Sequence, residues 1–264
     1  PILFFYIILF EPKAHYTLVK SSISRWITSV IKIMWVPATF GIALFLINQL
    51  YLTPSSTVSS NFTVTKFEYI STQLYVILHY LGNFILPTSL SADPDIEIIT
   101  PWYDKRILLG LFLILTLLFT AFKCAKNEKT RPISFGIAWF FVALLPTSLV
   151  PLFQIANDHR MFFPFMGIFI AVGFAAFHYY KLIKKQQYKW SFVIVVLLLI
   201  SSYSVGTHER NEVWSSTESL WYDVTIKSPN NGRGLMNYGL SLMAKGDYDN
   251  AEVYFIQAHE KSPN

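Results

Sequence analysis

A single cysteine, Cys124, leaves the chain without a partner for an intrachain disulfide, so no covalent staple holds the fold. Charge is scarce as well: Asp, Glu, Lys and Arg make up 14% of the 264 residues, against about 25% in soluble domains. So few polar groups cannot cover a water-facing surface, which excludes an ordinary soluble enzyme. No P-loop, G-x-S-x-G, H-E-x-x-H or paired-cysteine motif is present. A signal peptide is also missing, and the chain opens inside an apolar run, "PILFFYIILF", as expected of the interior of a longer protein.

What the chain does have is hydrophobic length. Apolar runs near the twenty or so residues needed to cross hydrocarbon recur at 1–10 (partial), 33–52, 107–123, 134–152, 161–180 and 191–207. The fold class expected is all-α: a polytopic helical membrane protein whose multi-span domain covers residues 1–207. The net charge of +5 does not point to nucleic acid, because the basic residues sit in short loops between spans. Lys13, Lys20, Arg25 and Lys32 mark one cytoplasmic loop. Lys123, Lys126, Lys129 and Arg131 mark a second, and Lys181, Lys184, Lys185 and Lys189 a third. Segments 53–106, 153–160 and everything after 207 then lie outside the cytoplasm. Ionisable residues are nearly absent within the spans, which argues against a pump or channel.

Residues 67–86, "FEYISTQLYVILHYLGNFIL", test this parity. If they crossed, the Lys123–Arg131 cluster would fall outside. Phe67, Ile70, Leu74, Ile77, Leu78, Leu81, Phe84 and Ile85 recur at helical spacing, with Glu68, Ser71, Thr72, His79 and Asn83 off that stripe. The reading is an extracytoplasmic interfacial helix ending near Pro87, with an ordinary span as the alternative.

Beyond 207 the composition turns polar. Lys-Ser-Pro-Asn at 227–230 recurs at 261–264, an offset of 34 residues, the tetratricopeptide period. Gly239, Ala251 and Ala258 are small where paired helices would cross. Leu235, Tyr238, Leu242 and Phe255 supply packing, Gly246 and Asp247 a turn, and Pro263 a helix end. Residues 212–227 read as a preceding helix. An extracytoplasmic tetratricopeptide-repeat region over 208–264 is expected, its groove open to a protein partner.

The charged stretch "NDHRMFFPF" lies between two spans. Arg160 either snorkels at the interface or grips a phosphate, for which the guanidinium fork is suited. His159 and Asp158 beside it are candidates for proton transfer, although adjacent loop residues seldom point to one site. Asp93-Pro94-Asp95 spells a D-x-D, used elsewhere to bind a metal-nucleotide, but a solvated turn is the simpler account. His79 is read as a polar-face residue, because no second ligand stands at helical spacing from it. No metal or cofactor is indicated. Asn61-Phe62-Thr63 matches a glycosylation acceptor.

Taken in order, "LLPTSLVPLFQIANDHRMFFPFMG", a last span, and "HERNEVWSSTESLW" before the repeat resemble the GT-C class of membrane glycosyltransferases. The likeness is closest to the transmembrane and tetratricopeptide-repeat O-mannosyltransferases and their prokaryotic relatives. It rests on Leu145-Pro146, Pro151, His159-Arg160, Phe163-Pro164 and Gly167. Thr72-Gln73, Tyr80-Leu81, Leu86-Pro87, Leu90 and Asp93 add a second motif. The motifs are loose.

The resemblance implies a sugar, such as mannose, transferred from a polyprenyl phosphate to a protein hydroxyl, with Arg160 and His159 at the donor phosphate and Asp158, Asp93 and Asp95 in the active-site loop. The implied partners are the bilayer, the lipid-linked sugar as substrate and a protein acceptor. The location is a prokaryotic inner membrane or the endoplasmic reticulum. The family's catalytic carboxylates belong to an earlier outer loop, so no catalytic residue carries over. A non-catalytic scaffold presenting repeats to a protein partner is the alternative, and an oligosaccharide ligase or polymerase differs mainly in acceptor.

Overall fold

The computed structural model describes residues 2–10, 35, 39, 65–152 and 154–262. The expected span 33–52 lies essentially outside these residues, as do Lys13, Lys20, Arg25, Lys32, the Asn61 acceptor site and Pro263. The described residues are helical, with no strand among them: α1 Ile2–Phe10, α2 Lys66–Ile85, α3 Lys105–Ala125, α4 Arg131–Leu149, a 3-10 turn Asp158–Met161, α5 Phe162–Leu182, α6 Gln186–Val213, α7 Thr217–Lys227, α8 Gly232–Ala244 and α9 Tyr248–Lys261.

Local chemistry sets the boundaries. Thr65 and Glu68 close a capping box at the start of α2. The Asp104 carboxylate accepts the Arg106 N–H at the start of α3. Pro132 occupies the first turn of α4, where the missing N–H costs nothing, and Pro151 follows its end. The side chain of Asn157 accepts the His159 N–H and opens the 3-10 turn.

Among the described residues four helices are long and apolar enough to cross a membrane: α3, α4, α5 with its 3-10 turn, and α6. They correspond to the expected spans at 107–123, 134–152, 161–180 and 191–207. The polytopic all-α class is therefore what the chain adopts. Their outward residues, such as Phe112, Phe119, Phe169 and Leu198, are large, apolar and exposed, a surface suited to hydrocarbon. α6 runs 28 residues without burying one. At about 1.5 Å per residue it extends roughly 42 Å, longer than a bilayer core, and continues past residue 207 to Val213.

α4 and α5 form the tightest pair. A Cβ on Gly167 would stand 2.5 Å from the Gly136 carbonyl oxygen, and one on Gly136 would strike the Gly167 carbonyl in return. Only glycine at both positions permits this crossing. Around it Val76, Ile77, Tyr80, Phe140, Leu144, Ala156, Met161 and Ile168 make one buried cluster from α2, α4, the 150–161 loop and α5. α1 leans on α4 through Tyr6 and Phe10, whose rings lie 6.0 and 5.8 Å from that of Phe135.

α2 is not among the membrane-length apolar helices, and its inward face combines Ile77 of the apolar stripe, with Leu81 and Phe84 packed against the same core, and a row of polar side chains. Phe67 and Ile85 are exposed, while Tyr69, Ser71, Thr72, Gln73, Tyr80 and Asn83 are buried in the protein. Tyr69, Thr72, Gln73, Tyr80 and Asn83 go inward with a hydrogen-bond partner there or on their own helix. Tyr203 of α6 holds the far end, donating to the Phe84 and Ile85 carbonyls at 2.8 Å each.

α8 and α9 form an antiparallel hairpin turned at Gly246, whose φ is +84°. A Cβ at Gly239 would meet the Phe255 ring at 2.8 Å, and Ala251, Ala258, Leu235 and Leu242 are buried in the seam. The Tyr238 ring lies between those of Tyr222, tilted at 5.3 Å, and Tyr254, edge-to-face at 4.7 Å. The helix expected at 212–227 forms as α7, starting later because Ser216 and Ser219 close a capping box.

Candidate functional site

The 150–161 loop joins α4 to α5 and is held by the inward face of α2. Asn157 is fully buried. Its N–H donates to the Tyr80 hydroxyl at 2.7 Å, and that hydroxyl donates to the Asn157 carbonyl at 3.3 Å. Burial pushes the Tyr80 pKa up to about 12. Gln73 Nε2 donates to the Ile155 carbonyl at 3.0 Å, and the Tyr69 hydroxyl to the Thr147 carbonyl at 2.8 Å. A non-repeating loop thus acquires a single backbone path.

Arg160 lies partly buried on this loop. Nη1 donates to the Gln154 carbonyl at 3.2 Å and Nη2 to Gln154 Oε1 at 3.1 Å, an oxygen that also accepts from Asn157 Nδ2 at 2.8 Å. Both acceptors are neutral. Arg106, Arg131, Arg210 and Arg233 each pair with a carboxylate, from Asp104, Glu128, Asp223 and Asp93 respectively. Among the described residues Arg160 forms no ion pair, so it retains its full charge in a partly desolvated setting.

Asp158 faces away from Arg160. It accepts from Asn83 Nδ2 at 3.3 Å and from the Ser91 N–H at 3.1 Å, with His79 Nε2 3.9 Å away. Burial lowers the His79 pKa and the Asp158 carboxylate opposes that shift. His159 is exposed, and its N–H is committed to Asn157 Oδ1.

Asp93 and Asp95 turn toward the hairpin side. Asp93, 6% exposed, accepts from Arg233 Nε at 2.8 Å through Oδ2, which Arg233 Nη2 also contacts. Its Oδ1 accepts from Gln154 Nε2 at 3.3 Å. Asn231 Nδ2 donates to the Asp93 carbonyl at 3.1 Å, the Asn230 N–H to Asp95 at 3.0 Å, and Lys227 to the Leu90 carbonyl at 3.1 Å. Ser91 and Ser228 hydroxyls meet at 3.1 Å. The D-x-D pattern therefore anchors the α7–α8 junction to the 87–104 segment.

Asp158, Arg160 and Asp93 come together around the 150–161 loop, and His159 points outward. Gln154, Asn157, Tyr80 and Asn83 received no site role from the sequence alone. Positions 69, 73, 76, 80 and 83 fall on one helical face, and its mixture of phenols and amides was the available signal. Among the described residues no group of three His, Cys, Asp or Glu side chains could hold a metal ion. Two cavities are lined by described residues: about 220 Å³ beside Glu68 and Trp102, and about 630 Å³ between Tyr179 and Phe192 at the other end of α5.

The apolar helices and the buried polar loop they carry define a multi-pass, all-helical membrane protein. The chain is 24% identical over 199 residues to the protein O-mannosyl-transferase Tmtc3 of Drosophila melanogaster, covering 70% of this chain and 21% of that protein. It is 23% identical over 141 residues to the human protein O-mannosyl-transferase TMTC3, covering 53% of this chain and 15% of that one. The chain thus spans about a fifth or less of the curated relatives it matches. These similarities support a distant relation to that family of membrane glycosyltransferases. No protein-family model matches the chain, and no solved structure does.

Proposed function

We propose that the chain is part of a GT-C type glycosyltransferase that transfers a sugar from a polyprenyl-phosphate donor to a protein hydroxyl on the extracytoplasmic face. The observation that carries this reading is Arg160. A permanently charged guanidinium is held by two neutral Gln154 oxygens, with no carboxylate partner among the described residues, at the mouth of a span. The phosphodiester of the lipid-linked sugar, in the headgroup plane, supplies the missing negative charge. In the transfer an acceptor hydroxyl loses its proton to a base and forms the new bond to the anomeric carbon. The bond from that carbon to the phosphate oxygen breaks, and the phosphate leaves with the electron pair. Arg160 offsets charge on the departing phosphate, the kind of fixed electrostatic support that speeds such steps. The basic loops after α3 and α5 support reading the 150–161 loop and the hairpin as extracytoplasmic. The hairpin is read as a tetratricopeptide unit that presents the acceptor.

The test is binding of a polyprenyl monophosphate to the detergent-solubilised full chain. Replacing Arg160 by Ala is expected to raise Kd by roughly tenfold or more, as loss of a charged hydrogen-bonding group does. An unchanged Kd in a folded variant would return the chain to the scaffold reading.

A further inference from the structure

We infer that Arg233 and Asp93, neither of them in contact with Arg160, set the charge of the Arg160 site, so that docking of the α8–α9 hairpin opens this site to anions. The inference rests on the reading of Arg160 as the phosphate contact. A carboxylate that is 6% exposed is tolerated only when paired. The positive partner of Asp93 comes from the hairpin: Arg233 contacts Oδ2 through Nε and Nη2. The other carboxylate oxygen, Oδ1, accepts from Gln154 Nε2, and the same Gln154 amide offers Oε1 to Arg160 Nη2. One amide group therefore separates the Asp93 carboxylate from the Arg160 guanidinium.

With the hairpin docked, Arg233 cancels Asp93, and Arg160 is left with a net charge to offer a phosphate. With the hairpin displaced, Asp93 becomes an uncompensated negative charge beside Gln154. It then neutralises Arg160 electrostatically and repels the incoming phosphate. The remaining contacts make docking a single event. Asn231, Asn230, Lys227 and Ser228 hold the 90–95 segment from the same junction, so Arg233 cannot leave without them. Arg233 and Asp93 are positioning residues, and their effect on the site is exerted through charge.

The experiment measures Kd for a polyprenyl monophosphate with the detergent-solubilised full chain and follows the net charge of the pair. Arg233→Ala leaves Asp93 unopposed and is expected to weaken binding by roughly fivefold to tenfold at low salt. Asp93→Asn removes the negative charge and is expected to tighten it by a similar factor. The Arg233→Ala/Asp93→Asn double variant restores neutrality and should return near the starting value, as should Arg233→Lys. The gain in Asp93→Asn cannot come from unfolding, which keeps the idea testable where Arg233→Ala folds poorly. High salt should shrink every shift. Equal losses in both single variants would reduce the pair to a structural clamp and overturn the inference, as would no shift in either. If Arg160→Ala still abolishes binding in those cases, the phosphate reading survives; if Arg160→Ala binds normally, both readings fall together.

Discussion

The Tyr80 hydroxyl and the Asn157 backbone are bonded in both directions, the N–H donating to the phenol oxygen at 2.7 Å and the phenol donating to the carbonyl at 3.3 Å. One side chain from α2 thereby satisfies both backbone groups of the most buried residue in the 150–161 loop. Arg160 follows three positions later, so its location depends on that bond pair.

Tyr80→Phe strips both bonds while preserving the ring. A buried N–H and carbonyl left without partners cost about 1–3 kcal/mol, and the loop loses its anchor. Thermal unfolding in detergent should show a lowered Tm, and limited proteolysis should open the 150–161 loop first. An unaltered melting curve with unaltered proteolysis would refute the anchoring role.

The α4–α5 crossing offers a harder perturbation. At Gly136 even one methyl group collides with the Gly167 carbonyl, and backbone cannot rotate aside as a side chain does. Gly136→Val is expected to cost about 1–3 kcal/mol or more through overpacking. Gly173→Val on the same α5 meets open space and serves as the control. Comparable Tm values for the two variants would contradict the crossing.

His79 sets a pH response. Burial holds its folded-state pKa below the ordinary value near 6.5, so at intermediate pH the unfolded chain binds more protons than the folded one. Stability is therefore full above about 6.5 and declines as pH falls below it, ceasing to change once the folded-state pKa is passed. His79 Nε2 also meets the Asn83 amide at 3.2 Å, and a protonated ring would face a donor there. A Tm profile from about pH 8 to pH 5 should slope downward for the natural chain and flatten for His79→Gln. Parallel profiles would exclude His79 as the source.

Several features were legible along the chain. The spans after residue 100 were readable because hydrocarbon demands long uninterrupted apolar runs, and such runs depend on no distant partner. The Lys-Ser-Pro-Asn recurrence marked the α8–α9 hairpin, because Gly239, Ala251 and Ala258 encode a close crossing within a short segment. The polar part of the inward face of α2 was not legible. The apolar stripe accounts for Ile77 in the core, but the hydrogen-bonding demand of a loop 77 residues away at Asn157 drew Tyr80 in beside it.

The same holds for the candidate site. Arg160 was visible as a charge between spans, but its lack of a carboxylate partner among the described residues emerged only with Arg106, Arg131, Arg210 and Arg233 paired to theirs. The pairing of Asp93 with Arg233 spans 140 positions. Charges carry no sequence period that would reveal a partner at that range. Length, hydropathy and local caps act through neighbours on the chain, so sequence alone decides them. Pairing of buried charges acts through space at a desolvation cost, and only the tertiary arrangement decides which carboxylate each guanidinium meets.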